Sequence, residues 1–182
     1  MGTICNTHAA RGLLAAALLL GTSTTASGAE LARINIRIGA NLVANTCAVS
    51  NVSQNMTVNL GEWAAKQFLV TKTSQPVRFI VQLENCGAAA RGVAVTFKGA
   101  TTTRDTSLLA LNRASTASNV GIAILDKDLR RLTPGQPSPR YPINLPLPAG
   151  GVPLVFYGQY VATGPVTPGS ANSEATFELN YP

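Results

Sequence analysis

Two stretches of this chain alternate strictly between apolar and polar residues. In "ARINIRIG" the residues Ile34, Ile36 and Ile38 share one parity, and Arg33, Asn35 and Arg37 the other. In "GSANSEATFELNYP" the small and apolar residues Gly169, Ala171, Ser173, Ala175, Phe177, Leu179 and Tyr181 fall on one side, with Glu174, Thr176, Glu178 and Asn180 opposite. A period of two, with β-branched and aromatic residues, predicts half-buried strands, because successive side chains of an extended chain point to opposite faces. Between them, further candidate strands lie at 42–50, 56–60, 77–86, 93–99, 120–126, 141–147 and 152–163, separated by Gly, Pro, Asn and Ser clusters. No window keeps a 3.6-residue apolar period for three turns. The chain therefore predicts as all-β, with spacing that suits a sandwich of two antiparallel sheets. The polar segment 100–119 predicts as a loop with a brief helical turn around Leu108 to Leu111.

The first 29 residues read differently. Arg11 without an accompanying acid, the apolar run "LLAAALLLG" and a small polar stretch ending at Ala29 have the three-part layout of a secretory signal. Cleavage after Gly28, or nearer Ala32, fits the same pattern. The alternative, a short membrane anchor, has about half the ~20 apolar residues that a span requires. Removal of 29 residues from 182 leaves 153, enough for one domain with a real core. It also removes Cys5 and leaves Cys47 and Cys86, which in an oxidising compartment read as one disulfide closing a loop of 39 residues. The competing reading, a free nucleophilic cysteine, has no histidine to activate it, because the one histidine, His8, lies in the signal.

Charge and chemistry exclude more than they suggest. The formal charge of +6 comes from 14 basic and 8 acidic residues, but the basic ones are scattered singly apart from Arg130-Arg131, with no interleaved aromatics of a nucleic-acid surface. The close acidic pair Asp126 and Asp128 lacks the glycine and bidentate glutamate of a calcium loop, so a polar hairpin end is the better reading. Metal sites built from Cys and His are excluded by inventory, and so are Ser-His and Cys-His nucleophile pairs. The lone Trp63 reads either as packing at the core or as a sugar-stacking platform.

The N-terminal "RINIRIGANLVANTC", the second cysteine in "FIVQLENC", the segments "VTFKG" and "VGIAILD", and "YGQYVATGPVTPGSANSEATFELNYP" occur in one order. Gly169 is fourteenth from the end and Tyr181 is penultimate. Together these resemble the pilin subunits of chaperone-usher fimbriae, the group that contains type 1 and P pilus subunits. The resemblance implies an incomplete immunoglobulin-like sandwich lacking its last strand, with an N-terminal donor-strand extension. In that layout residues 1–29 are the signal peptide, 30–41 the donor extension and 42–182 the pilin domain.

The resemblance further implies that Ile34, Ile36, Ile38, Ala40 and Leu42 insert into a neighbouring subunit, having no groove of their own to fill. The face formed by Gly169, Ala175, Phe177, Leu179 and Tyr181 would border this subunit's own groove and meet the strand lent by a chaperone. Partners implied are a periplasmic pilus chaperone, an outer-membrane usher and neighbouring pilins, with no cofactor, no metal and no catalytic activity. Ala40 departs from the family's usual glycine, which here sits one place earlier at Gly39. "FIVQLENC", "VTFKG", "VGIAILD" and "ATFELNYP" look closer to P-pilus adaptor subunits than to a major rod subunit, so a minor or tip-adaptor role is expected, with a major rod subunit as the alternative. A glycan-binding tip adhesin belongs to a different class; it would carry a lectin domain for which this chain has no room.

Overall fold

The computed structural model describes residues 34–37 as backbone, and 46–144, 146–149 and 151–181. The signal, and with it most of the expected donor extension, lies outside the described residues. Ten strands account for most of the regular structure: β1 (Ile34–Arg37), β2 (Ala48–Val49), β3 (Asn55–Val58), β4 (Val77–Glu84), β5 (Gly92–Lys98), β6 (Ser118–Leu125), β7 (Arg131–Leu132), β8 (Tyr141–Pro142), β9 (Val152–Thr167) and β10 (Thr176–Asn180). All the ladders among them are antiparallel. They form a five-stranded sheet in the order β2-β4-β9-β6-β7, a three-stranded sheet β10-β5-β8, and the pair β1-β3. The all-β expectation holds, and each predicted strand has a counterpart at close to its predicted place.

An aromatic cluster joins the two larger sheets. Phe79 of β4 and Phe156 of β9 come from one, and Phe97 of β5, Phe177 of β10 and Tyr141 of β8 from the other. Phe97 lies edge-on to Phe156 with centroids 4.9 Å apart, and Phe177 stands 6.1 Å from Phe97. Tyr141 meets Phe156 at 5.4 Å, also edge-on. These offset and T-shaped contacts are the arrangements that ring quadrupoles favour, and they add to the burial of large apolar surfaces. Alternation explains why these residues meet: on β4 the odd residues Phe79, Val81 and Leu83 are buried.

The strand β6 is buried on both faces from Val120 to Leu125. Val120, Ile122 and Ile124 enter the main core, while Ala123 and Leu125 join Leu108 and Val161 in a second cluster on the outer side. This is where the predicted turn at 108–111 fails. Leu109 exchanges backbone hydrogen bonds with Ile122, at 2.8 and 3.0 Å, and extends the sheet instead of coiling. Both Leu108 and Leu109 are buried that way, whereas a single isolated helical turn would carry the nucleation cost without burying both faces. Two short helical pieces were not foreseen: α1 (Asn51–Gln54) and a 3-10 helix at Ala65–Leu69, the latter entered through an Ala64 N–H donated to Gln67 Oε1 at 2.9 Å.

The polar hairpin end at 126–130 is as expected. Asp126 is buried, and its Oδ1 accepts the N–H groups of Asp128 and Arg130, each at 2.8 Å, so this carboxylate serves the turn. Trp63 is half-buried against the core and donates its indole N–H to Leu60 O at 2.8 Å, consistent with a packing role.

Candidate functional site

The C-terminal strand follows its alternation. Phe177 is fully buried, Ala175, Ser173 and Ala171 lead into it buried, and Leu179 and Tyr181 are half-buried on the same side, while Glu174, Thr176, Glu178 and Asn180 are exposed. Its register on β5 places Phe177 opposite Phe97 and Leu179 opposite Val95, so each inward residue of β10 stands beside a buried partner. On the wet face Lys98 and Glu178 form an ion pair at 2.5 Å, and Asn180 donates to Thr96 Oγ1 at 3.0 Å. Among the described residues β10 is paired along one edge only, the edge facing β5.

The approach to β10 is fastened to the segment before β6. Thr116 and Ala117 both donate backbone N–H groups to Ser170 O at 3.0 Å, Asn112 donates to Asn172 O at 2.7 Å, and Ser173 Oγ donates to Ala110 O at 2.7 Å. Gly169 permits this closeness: a Cβ there would sit 2.5 Å from Ala117 N and nearer still to Thr116 Oγ1. Tyr160 adds a bond from its hydroxyl to Ala171 O at 2.9 Å; burial raises its phenol pKa well above the usual value.

The C-terminal strand reaches the disulfide. Cys47 and Cys86 are bonded, closing the end of the β2-β4 ladder in which Ala48 faces Glu84 and Val49 faces Leu83. The Tyr181 hydroxyl accepts the Cys47 N–H at 3.2 Å and lies 3.4 Å from Cys47 O, to which it can donate. The last tyrosine is thus a bridge from the C-terminal strand to the first cysteine. Burial raises its pKa, opposed in part by the Cys47 bond.

The expected donor strand is only partly described. Residues 34–37 are a strand, as the alternation predicts, but β1 has a neighbour in its own chain, where none was expected. It runs antiparallel to β3, with Ile34 opposite Val58, Asn35 opposite Thr57, Ile36 opposite Met56 and Arg37 opposite Asn55. Val58 is buried and Met56 half-buried against the core, while Asn55 and Thr57 are exposed. Ile34 and Ile36 thus stand opposite the two inward positions of β3. Ile38, Ala40 and Leu42 lie outside the described residues. Sequence reasoning missed this pairing because it treated the isoleucines as lacking any edge within the chain; "MTVNL" at 56–60, whose inward residues fall two apart, was the available signal.

The arrangement offers strand edges, a disulfide and an apolar core, and among the described residues no cluster of three or more side chains that could hold a metal ion. The Fimbrial protein family matches residues 34–182. This chain belongs to that family. It is 36% identical over 173 residues to "Fimbrial-like protein FimF" of Salmonella typhimurium, covering 94% of this chain and 97% of the relative. It is 34% identical over 170 residues to "Type-1 fimbrial protein, A chain" of Escherichia coli K12, covering 89% and 92%. Among solved structures, a chaperone-usher pilus subunit superimposes with a TM-score of 0.63 at 18% identity, over 81% of this chain and 94% of that one, which shows the shared fold. The protein is a fimbrial subunit, a structural component and not an enzyme, and it shares the fold of a chaperone-usher pilus subunit. Its sandwich is the immunoglobulin-like fold of the pilins.

Proposed function

We propose that this fimbrial subunit polymerises by donor-strand exchange: residues 30–41, once the signal peptide 1–29 is removed, complete the fold of a neighbouring subunit. Ile34, Ile36 and Ile38 are the anchors, with Ala40 and Leu42 continuing their face. The observation that carries this reading is the strict alternation of the isoleucine strand, together with a C-terminal strand, β10, that is paired along one edge among the described residues. Strand addition at a sheet edge draws affinity from backbone hydrogen bonds and selectivity from alternate side-chain positions. Each buried isoleucine contributes roughly 1.5–3 kcal/mol before ordering costs. A periplasmic chaperone would hold the face of Gly169, Ala175, Phe177, Leu179 and Tyr181 until an outer-membrane usher passes the subunit to the fibre at the cell surface. The resemblance of "FIVQLENC", "VTFKG", "VGIAILD" and "ATFELNYP" to adaptor subunits favours a minor or tip position. A major rod subunit of the same kind of pilus is the second reading.

The Ile36→Asp variant tests the donor role, and epitope labelling of the fibres tests position. The variant is expected to be recovered with its chaperone and to be missing from purified fibres. Incorporation at the wild-type level would refute the donor assignment. Label on the wild-type subunit confined to fibre tips supports the minor role, whereas label along the shaft makes it a rod subunit.

A further inference from the structure

At the end of the sandwich opposite the disulfide, the chain holds two aliphatic side chains out into solvent. Leu69 is 70% exposed and Val70 84%, whereas Phe68 just before them is buried. Their backbone is firmly held. Gln67 O accepts the N–H groups of Val70 and Thr71, both at 3.1 Å, and Gln67 Oε1 accepts the Ala64 N–H at 2.9 Å. The Ala162 N–H donates to Lys72 O at 2.8 Å, and Lys72 has a φ of 60°, a left-handed conformation that persists where its surroundings enforce it. Single exposed aliphatics are ordinary on a protein surface, but an adjacent pair on a rigidly held turn is a built knob. Of the other large apolar side chains left exposed, Leu129 lies on the 126–130 hairpin, and Val52 lies in the short helix that follows β2, at the disulfide end.

We infer that Leu69 and Val70 seat the body of the subunit that donates its strand to this one, pressing on that subunit's disulfide-bearing end and setting the angle between the two. This rests on the donor-strand reading and adds to it a contact between bodies. Two lengths carry it. Within one subunit, β9 runs from Val152, opposite Leu83 near the disulfide, to Ala162, bonded to Lys72 beside the knob. That is ten residues of strand, or about 33 Å. β10 finishes at the disulfide through Tyr181, and its entry lies at the knob end, where Ala171 and Phe68 line one small apolar cleft with Trp63, Tyr160 and Pro168. A donor that continues the antiparallel pattern, along the edge of β10 left unpaired among the described residues, therefore finishes with its residue 41 at the knob end. From residue 41 to the donor's Cys47 is six residues, a reach of at most about 20 Å. The donor's disulfide must stand within that distance of the acceptor's β10 entry. On a copy of this chain that end exposes Val52, Ala88 and Ala89, aliphatic surface for an aliphatic knob. Two bodies joined by a short link alone move independently unless apolar contact holds them. Contact at Leu69 and Val70 turns a swivel into a hinge with a preferred angle.

A photoreactive probe at position 70 tests the contact in fibres assembled from the full chain with the chaperone and usher. p-Benzoylphenylalanine replaces Val70, the fibres are irradiated, and linked peptides are mapped by mass spectrometry. Links are expected between position 70 and the disulfide-bearing end of the donor subunit, which on a copy of this chain means peptides containing Val52 or residues 84–89. Absence of any link to another subunit, or links confined to a sheet face or to a subunit other than the donor, overturns the inference. A second measurement reads the hinge. Subunits carrying Leu69→Ser and Val70→Ser should be recovered with the chaperone and enter fibres in wild-type amounts. Electron micrographs of those fibres should show a spread of angles between consecutive subunits at least about twofold broader than in the wild type. An unchanged spread also overturns the inference, and if the double variant is lost before assembly the cross-link alone decides. The donor-strand reading fails separately, if Ile36→Asp subunits enter fibres normally.

Discussion

At Gly169 the chain passes so close to Thr116 and Ala117 that only a hydrogen fits on the α-carbon. An alanine there would place its methyl group within 2.5 Å of Ala117 N. The neighbour is backbone already committed to hydrogen bonds with Ser170, so it has little freedom to retreat. Overpacking of this kind costs about 1–3 kcal/mol. Gly169→Ala is therefore expected to lower the midpoint of urea denaturation with little change in slope, and an unshifted midpoint would show that the 115–117 segment can give way. A different constraint operates at Phe177, fully buried and edge-on to Phe97, the ring that in turn meets Phe79 and Phe156, so that its position depends on shape as much as on apolarity. Tyr181 sits between these cases, half-buried and anchored by its hydroxyl at Cys47.

Among elements, the disulfide joins a short edge piece of sheet to a long interior strand. β2 has two residues and two ladder pairs, whereas β4, on which it lies, pairs along seven residues with β9. Closing a loop of 39 residues by a disulfide contributes about 4 kcal/mol in the chain-entropy account. The Cys47→Ser, Cys86→Ser double variant should accordingly lose on that order of stability in chemical denaturation, and a loss below about 1 kcal/mol would mean that β2 and Tyr181 hold this corner without it. Strands such as β4, β9 and β10 were legible because one buried face imposes a period of two, and the cysteine pair was legible because reading the first 29 residues as a signal leaves only those two. The segment 100–119 was not, since its second half takes its order from hydrogen bonds to residues 170–173 far along the chain, which leave no local period. The leucine pair at 108–109 misled for a related reason: adjacent apolar residues suit a helical turn or an edge covered on both sides, and only the presence of Ile122 decides between them. The partner of β1 was likewise invisible to a reading confined to its own alternation.

For the molecule as a whole, three phenols tie distant parts together, and all three resist ionisation. Tyr141 donates to Val155 O at 3.3 Å, across from its own sheet to β9, and burial is the main force pushing its pKa up to about 12. Tyr160 and Tyr181 are raised for the same reason, the first linking β9 to the entry of β10, the second linking β10 to the disulfide. In the unfolded chain each ionises near pH 10. A folded state that holds its protons more tightly than the unfolded one loses stability as pH rises through that interval. Stability should therefore be insensitive to these groups below about pH 10 and fall steadily between about pH 10 and 12. Thermal melts across that range, recorded beside the phenolate absorbance, check the sign: unfolding and the bulk of tyrosine ionisation should coincide in one transition. Full ionisation of Tyr141, Tyr160 and Tyr181 while the β-sheet signal persists would show that water reaches them in the folded subunit, and that the two sheets and the C-terminal strand are not held by buried neutral phenols.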